Sequence, residues 1–252
     1  IVNASFPDYE WKTSGRFKNY WDFETLNDGL AGTVTRTLEL AHQTSHDARY
    51  REALVRFGEF LIRAQLPEPQ PAWAQQYNHQ LQPIWARRFE PPAVAGFESE
   101  DAIQTLLTIA EITGDPKFLK PIPAALAWIK RSLLPDGRLA RFYEMRTNKP
   151  LYFARDSYEL TYDDSLLPTH YSFRAQSRHA QLQQRLQTLQ TGPLAPAPTR
   201  KPGLKTLRQD ASNILKELDS AGRWVSDGKG HIVSNTSTQD PAQLWIESAV
   251  FS

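Results

Sequence analysis

The 252-residue chain contains no cysteine. That absence removes thiol nucleophiles, zinc fingers, iron–sulfur ligation and disulfide staples together, and it leaves the cellular compartment open. No stretch approaches the roughly 18 consecutive apolar residues of a membrane-spanning helix, and the opening IVNASFPDYEWK lacks the apolar core of a signal peptide. No membrane partner is expected. An excess of one charge is missing too. With 29 Lys plus Arg against 28 Asp plus Glu, the net charge of +1 exerts no general pull on nucleic acid, so any anion recognised here is bound locally. A Gly-rich phosphate loop, a Gly-x-Ser-x-Gly elbow and a His-Glu-x-x-His pair are all absent, and the six His are scattered. Nucleotide, serine-hydrolase and zincin chemistry lose most of their support.

What is present describes a folded chain: 40% hydrophobic residues, with 7 Trp, 9 Tyr and 12 Phe. Apolar residues recur at helical spacing at Leu54, Phe57 and Leu61, at Ile103, Leu106, Leu107 and Ala110, and at Ile122, Ala125, Leu126 and Ile129. Between the last two runs, Gly114 suits a helix stop, Asp115 a cap and Pro116 a first turn. Ala41-His42-Gln43-Thr44 with Asp47 and Tyr50 echoes Ala110-Glu111-Ile112-Thr113 with Asp115 and Phe118, a repeat of paired helices. Three polar, aromatic segments near Leu66–Tyr77, Leu134–Glu144 and Asp219–Val225 follow such pairs, and are expected to gather on one rim. The fold class expected is all-α dominated, a partial (α/α) toroid with one short β-hairpin made from Arg138–Tyr143 and Pro150–Arg155. The whole of 1–252 reads as one domain, with a Pro-rich surface loop at 192–203.

The residues that stand out for chemistry are arginines among aromatics: Trp85-Ala86-Arg87-Arg88-Phe89-Glu90, Arg141-Phe142-Tyr143-Glu144 and Arg155-Asp156. Guanidinium forks read carboxylates bidentately, while flat aromatic faces stack on sugar rings. The alternative is that Arg88, Arg141 and Arg155 form structural ion pairs with Glu90, Glu144 and Asp156. Asp163-Asp164 with His170 nearby offers either metal ligands or a turn and cap. Asn27-Asp28-Gly29 is a helix-capping signal and also an oxygen-rich corner for a hard cation.

From Trp73 onward, Trp73-Ala74-Gln75-Gln76-Tyr77, Leu81-Gln82-Pro83, Ala86-Arg87-Arg88-Phe89-Glu90-Pro91-Pro92, Gly96-Phe97-Glu98-Ser99, Arg141-Phe142-Tyr143-Glu144 and Phe153-Ala154-Arg155-Asp156 follow in order. Together they resemble the pectate lyases of polysaccharide lyase family 10, the helical-toroid pectate lyases. Thr25-Leu26-Asn27-Asp28-Gly29 is similar to the family's Thr-Ile-Asp-Asn-Gly, and Gly222-Arg223-Trp224 is a terminal echo. The resemblance implies β-elimination on polygalacturonate or a related uronan, with Arg87 as the base that takes the C5 proton. It implies substrate contacts from Arg141, Arg155, Trp73, Arg88 and Tyr143, and calcium at Asn27 and Asp28. Trp85 and Tyr152 are expected beside Trp73 and Tyr143 along one groove, on which Arg87, Arg141 and Arg155 converge.

Two departures bear on the metal. The family's Asp-Asn order is inverted to Asn27-Asp28, and the chain runs from Ala64-Gln65 to Trp73 without the hairpin that supplies a further acid. Calcium is therefore expected to bind weakly or only with substrate. The usual first helix is absent and 247–252 is an amphipathic run cut short, so the domain is expected to be incomplete at both ends. Acidic poly- or oligosaccharide is the expected partner, the protein a secreted or periplasmic monomer. Two other functions remain open: an inverting glycoside hydrolase, pairing Glu98 or Asp101 with Asp163 or Asp164, and a non-catalytic uronan binder.

Overall fold

The computed structural model describes residues 2–169, 171–192, 194, 204–220 and 222. Contacts divide the chain into two units, Ile1–Ala197 and Pro198–Ser252. In the second, the described part is a helix, Leu204–Lys216, and the turn after it. Apart from Gly192 and Leu194, the Pro-rich stretch 192–203 lies outside the described residues. So do His170, Arg223, Trp224, Val225 and the run 247–252.

In the first unit, a short helix α1 (Trp11–Ser14) precedes two antiparallel pairs. The first is α2 (Leu30–Ser45) and α3 (Ala48–Ala64), the second α4 (Gly96–Thr113) and α5 (Ile122–Ser132), with α6 (His179–Thr191) against both members of the second pair. The connections follow their local chemistry. Asp47 caps α3 through the Arg49 N–H at 2.9 Å. Gly114 closes α4 in the left-handed region at φ 72°, and Asp115 caps the next turn through the Lys117 N–H at 2.9 Å. The central helix is α4, and Ile103, Leu106, Leu107 and Ile109 are fully buried with Leu54 and Leu61 of α3 and Leu126 and Ile129 of α5.

The all-α toroid expectation is overturned. Among the described residues, eight strands form three antiparallel sheets between and beside the helices. β1 (Glu24–Thr25) pairs with β2 (Gln76–Tyr77). β3 (Val94–Ala95), β5 (Phe142–Tyr143), β6 (Pro150–Phe153) and β7 (Leu160–Thr161) form a four-stranded sheet in that order, and β4 (Arg138–Ala140) pairs with β8 (Arg174–Gln176). Each strand is two to four residues long, too short for alternation to register in the sequence; pairing with a distant partner stabilises it. The hairpin itself exists as β5 and β6, with Phe142 opposite Leu151. Residues 138–140 leave it to join Arg174–Gln176.

These small sheets position the site. Pairing of β1 with β2 puts the turn Asn27–Gly29 beside Gln75, and Leu26 N–H donates to the Gln75 carbonyl at 2.9 Å. Pairing of β3 with β5 sets the start of α4 against Arg141, whose carbonyl accepts from Gly96 N–H at 2.8 Å. Only glycine suits position 96, because a Cβ there would strike the Ala140 carbonyl.

Candidate active site

A cleft of about 290 Å³ opens where these pairings meet. Its wall includes Asp28 from the turn before α2, Phe97, Glu98 and Asp101 from the first turns of α4, and Arg141 and Arg178. One hydrogen-bond chain reaches its wall at Glu98 and Arg141. Arg87 donates to Glu90, Asn27 Nδ2 donates to Glu90 Oε1 at 2.7 Å, and Gln75 Nε2 donates to Asn27 Oδ1 at 2.5 Å. Gln75 Nε2 also donates to Glu98 Oε1 at 3.1 Å, which accepts in addition from Arg141 Nη2 at 3.5 Å.

The Arg141 end is buried but loosely bound. The Arg141 guanidinium lies 4.4 Å from the Tyr171 ring centre and 5.1 Å from that of Phe97, and its remaining contact, Nη1 to the Ser172 carbonyl, is long at 3.4 Å. Arg141 Nε, Glu98 Oε2 and Gln75 Oε1 are buried without partners. Burial pushes the Glu98 carboxyl above the ordinary carboxylate range, opposed by Arg141, and pushes the Tyr171 hydroxyl up to about 12. Unmet buried donors and acceptors on a cleft wall are capacity for a ligand carrying both.

The Arg87 end is paired with two carboxylates. Arg87 Nη2 lies 2.6 Å from Glu90 Oε1 and 3.0 Å from Asp28 Oδ2, while its Nε donates to Glu90 Oε1 at 2.8 Å and its backbone N–H to Glu90 Oε2 at 3.0 Å. The Glu90 hydrogen bond chiefly, then the Asp28 charge, raise the Arg87 pKa further. A base is a group that has lost its proton, and this arrangement holds the proton on. The role of base is not available to Arg87 while these contacts last.

Several other expectations need correcting. Trp73 is fully buried with Nε1 on the Leu61 carbonyl at 2.8 Å, and Tyr143 is buried with its hydroxyl on the Ser132 carbonyl at 2.6 Å. Both belong to the core, as does Tyr152, and cannot stack on a sugar. Trp85 is half-buried against Phe153. Arg88 is exposed with its guanidinium 4.3 Å from the Tyr158 ring, and Arg155 is exposed with Nε on the Leu167 carbonyl at 3.0 Å. Neither lines the cleft, and of the three arginines expected to converge only Arg141 does, with Arg87 tied to it through the hydrogen-bond network. The simple ion pairs fail as well. Glu90 meets Arg87 instead of Arg88, and Glu144 meets Lys12 at 2.6 Å and the Tyr162 hydroxyl at 2.7 Å instead of Arg141. Asp163 caps the Ser165 N–H and Asp164 pairs with Arg174, both away from the cleft wall, which leaves the hydrolase reading without its second carboxylate. Gln75, Tyr171 and Arg178 were missed as site residues. Arg178 offered no helical or motif signal: it is held by Glu100 at 3.3 Å and lies 3.8 Å from Asp101, partners about 77 residues away in sequence.

Asn27 and Asp28 are not simply a cap. The α2 N-terminus has no side-chain cap from them, and Asp101 accepts from the Gly32 N–H at 3.3 Å instead. Nor does the corner fit calcium as arranged. Calcium takes six to eight oxygens at about 2.3–2.6 Å, whereas Asn27 turns its NH2 toward Glu90 and Arg87 Nη2 sits between the two carboxylates.

Residues 35–139 match the pectic acid lyase family, a span that includes Arg87, Glu90, Glu98 and Asp101 and stops before Arg141. No curated protein matches the chain. Among solved structures, the family 10 polysaccharide lyase from Cellvibrio cellulosa is similar at a TM-score of 0.56 and 18% identity, covering 72% of this chain and 68% of that one. An aspartate-to-alanine mutant of a family 10 lyase from the same organism, in complex with trigalacturonic acid, gives 0.55 and 18%, covering 71% and 68%. At this identity the structural likeness speaks for the fold alone. Residues 35–139 are thus similar to the pectic acid lyases, and the chain has the fold of polysaccharide lyase family 10.

Proposed function

We propose that this protein binds galacturonan of the pectate type in the Asp28–Glu98–Arg141 cleft and cleaves it by β-elimination. The observation that carries the reading is Arg141: a nearly buried guanidinium over the Tyr171 and Phe97 rings, with only long polar contacts and Nε unpartnered. A uronate carboxylate is the planar anion that such a fork accepts, and the trigalacturonic acid in the similar Cellvibrio mutant is a ligand of that class.

In the elimination, the proton leaves C5, a C4=C5 double bond forms, and the C4–O4 bond breaks with its electron pair going to the departing sugar oxygen. The barrier is the acidity of C5–H, which falls as charge on the adjacent carboxylate is neutralised. Arg141 supplies that neutralisation, and the buried Glu98 and half-buried Tyr171 beside it limit the water that would screen it. For Arg87 to take the C5 proton, it must part from Asp28 and Glu90 and first give up a proton of its own to solvent. The same reading places the protein's work outside the cytoplasm, where pectic polymers occur.

A second reading, a uronan binder without turnover, is favoured by the doubly paired Arg87. Incubation with polygalacturonate separates the two. Ultraviolet absorbance of the unsaturated uronide is expected to grow, and to be lost in Arg141→Ala. Binding of oligogalacturonate without absorbance would establish the second reading, and neither signal would overturn both.

A further inference from the structure

Asp28 and Glu90 are 62 residues apart in the chain, yet their carboxylates meet at one nitrogen, Arg87 Nη2. Glu90 is the more revealing partner. Its Oε1 accepts from Arg87 Nε and from Asn27 Nδ2 and lies 2.6 Å from Arg87 Nη2, with the Tyr171 hydroxyl at 3.5 Å; its Oε2 accepts from the Arg87 backbone N–H. Four of these donors crowd Oε1 and one meets Oε2, so the charge is met on both oxygens. The side chain of Glu90 is 2% exposed, so its charge has to be met from within the protein. The Arg87 head is 46% exposed and that of Asp28 68%, so the cation is the removable member of the trio. Among the described residues no three His, Cys, Asp or Glu gather into a metal-binding group, which leaves these two carboxylates and the Asn27 amide oxygen as the donors of this corner.

We infer that Arg87 is a built-in counter-ion whose Nη2 occupies the position a divalent cation would take between Asp28 and Glu90, so that the corner accepts such a cation only when the guanidinium is absent. This follows from the geometry of the trio and does not rest on the lyase reading. A guanidinium and a metal ion compete for the same oxygens, and a competition of this kind is a coupling worth about 5- to 150-fold in affinity. The Asn27 amide stays held, its Nδ2 on Glu90 and its Oδ1 accepting from Gln75 Nε2 and the Asp28 N–H, so the two carboxylates carry the added affinity.

The test uses the metal alone, without sugar. Calcium is titrated calorimetrically, and terbium by luminescence sensitised through Tyr171, whose hydroxyl lies 3.5 Å from Glu90 Oε1. The proteins are the intact chain, Arg87→Lys, Arg87→Gln, and Arg87→Gln combined with Asp28→Asn. Arg87→Gln is expected to bind at least about tenfold tighter than the intact chain. Arg87→Lys, which keeps a positive charge, is expected to stay near the intact chain, and Asp28→Asn to erase the gain. A folded Arg87→Gln without gain overturns the inference, as does an equal gain in Arg87→Lys. Should Arg87→Gln fail to fold, the intact chain decides: saturation below about 0.1 mM calcium, within the range of dedicated sites, overturns it, and no saturation there supports it.

Discussion

Arg87 and Arg141 stand at the two ends of one hydrogen-bond network and are held in opposite ways. Arg87 is 46% exposed yet paired with two carboxylates at 2.6 and 3.0 Å. Arg141 is 13% exposed yet touches its one carboxylate only at 3.5 Å and leaves Nε unmet. Exposure alone would nominate Arg87 as the ligand-binding group. Partner count reverses that choice, because a guanidinium already neutralised gains little from another anion, whereas one desolvated and under-bonded gains much.

The sharpest way to break this contrast is Arg141→Met. It strands Glu98, whose side chain is 4% exposed, without its cation, and is expected to cost about 3 kcal/mol of stability at neutral pH, read from urea unfolding. A near-zero cost would mean that Glu98 is already neutral there and that the two ends are less different than their contacts indicate.

The next effect concerns pH. Because burial raises the folded-state pKa of Glu98 from the ordinary 4.5, the folded state holds this proton more tightly than the unfolded chain does. Its contribution therefore favours folding at low pH and is lost as pH rises from about 4.5 through the raised value, with a slope of at most about 1.4 kcal/mol per pH unit. Glu98→Gln is expected to flatten that part of the melting-temperature profile. An unchanged profile would remove the claim that Glu98 is strained by burial.

The smallest effect is expected from Arg87→Gln. It takes the cation from Glu90, which is 2% exposed, but Glu90 keeps Asn27 Nδ2 and the backbone N–H of residue 87 and the pair with Asp28 is exposed, so the cost in urea unfolding is expected to be about 1 to 2 kcal/mol, short of that of Arg141→Met. A loss matching that of Arg141→Met would erase the asymmetry.

How legible the site was depended on how far a residue's partner lay along the chain. Gln75, Arg87, Glu90, Glu98 and Arg141 all sat within quoted motifs, and residue types in order carried them into view. What each one touches was not legible. Trp73 and Tyr143 look like sugar-stacking rings in the sequence, but their polar atoms reach the Leu61 and Ser132 carbonyls, which makes them core. A hydrogen-bonding tip on an aromatic ring serves a ligand or a buried carbonyl equally well, and sequence does not distinguish the two uses.

The sequence by itself determined the helical pairs, their stops and caps at Asp47, Gly114 and Asp115, the exclusion of thiol chemistry, and the resemblance to the pectate lyases. These depend on residue identity or on spacings of three and four, which a single chain displays directly. Only the tertiary structure decided the sheets and the partner of each charge. Asn27 meets Glu90 across 63 positions, Arg87 meets Asp28 across 59, and Arg141 meets Glu98 across 43. Those encounters exist because two-residue strands, too short to announce themselves, pair in a fixed register, and register sets which side chains face each other.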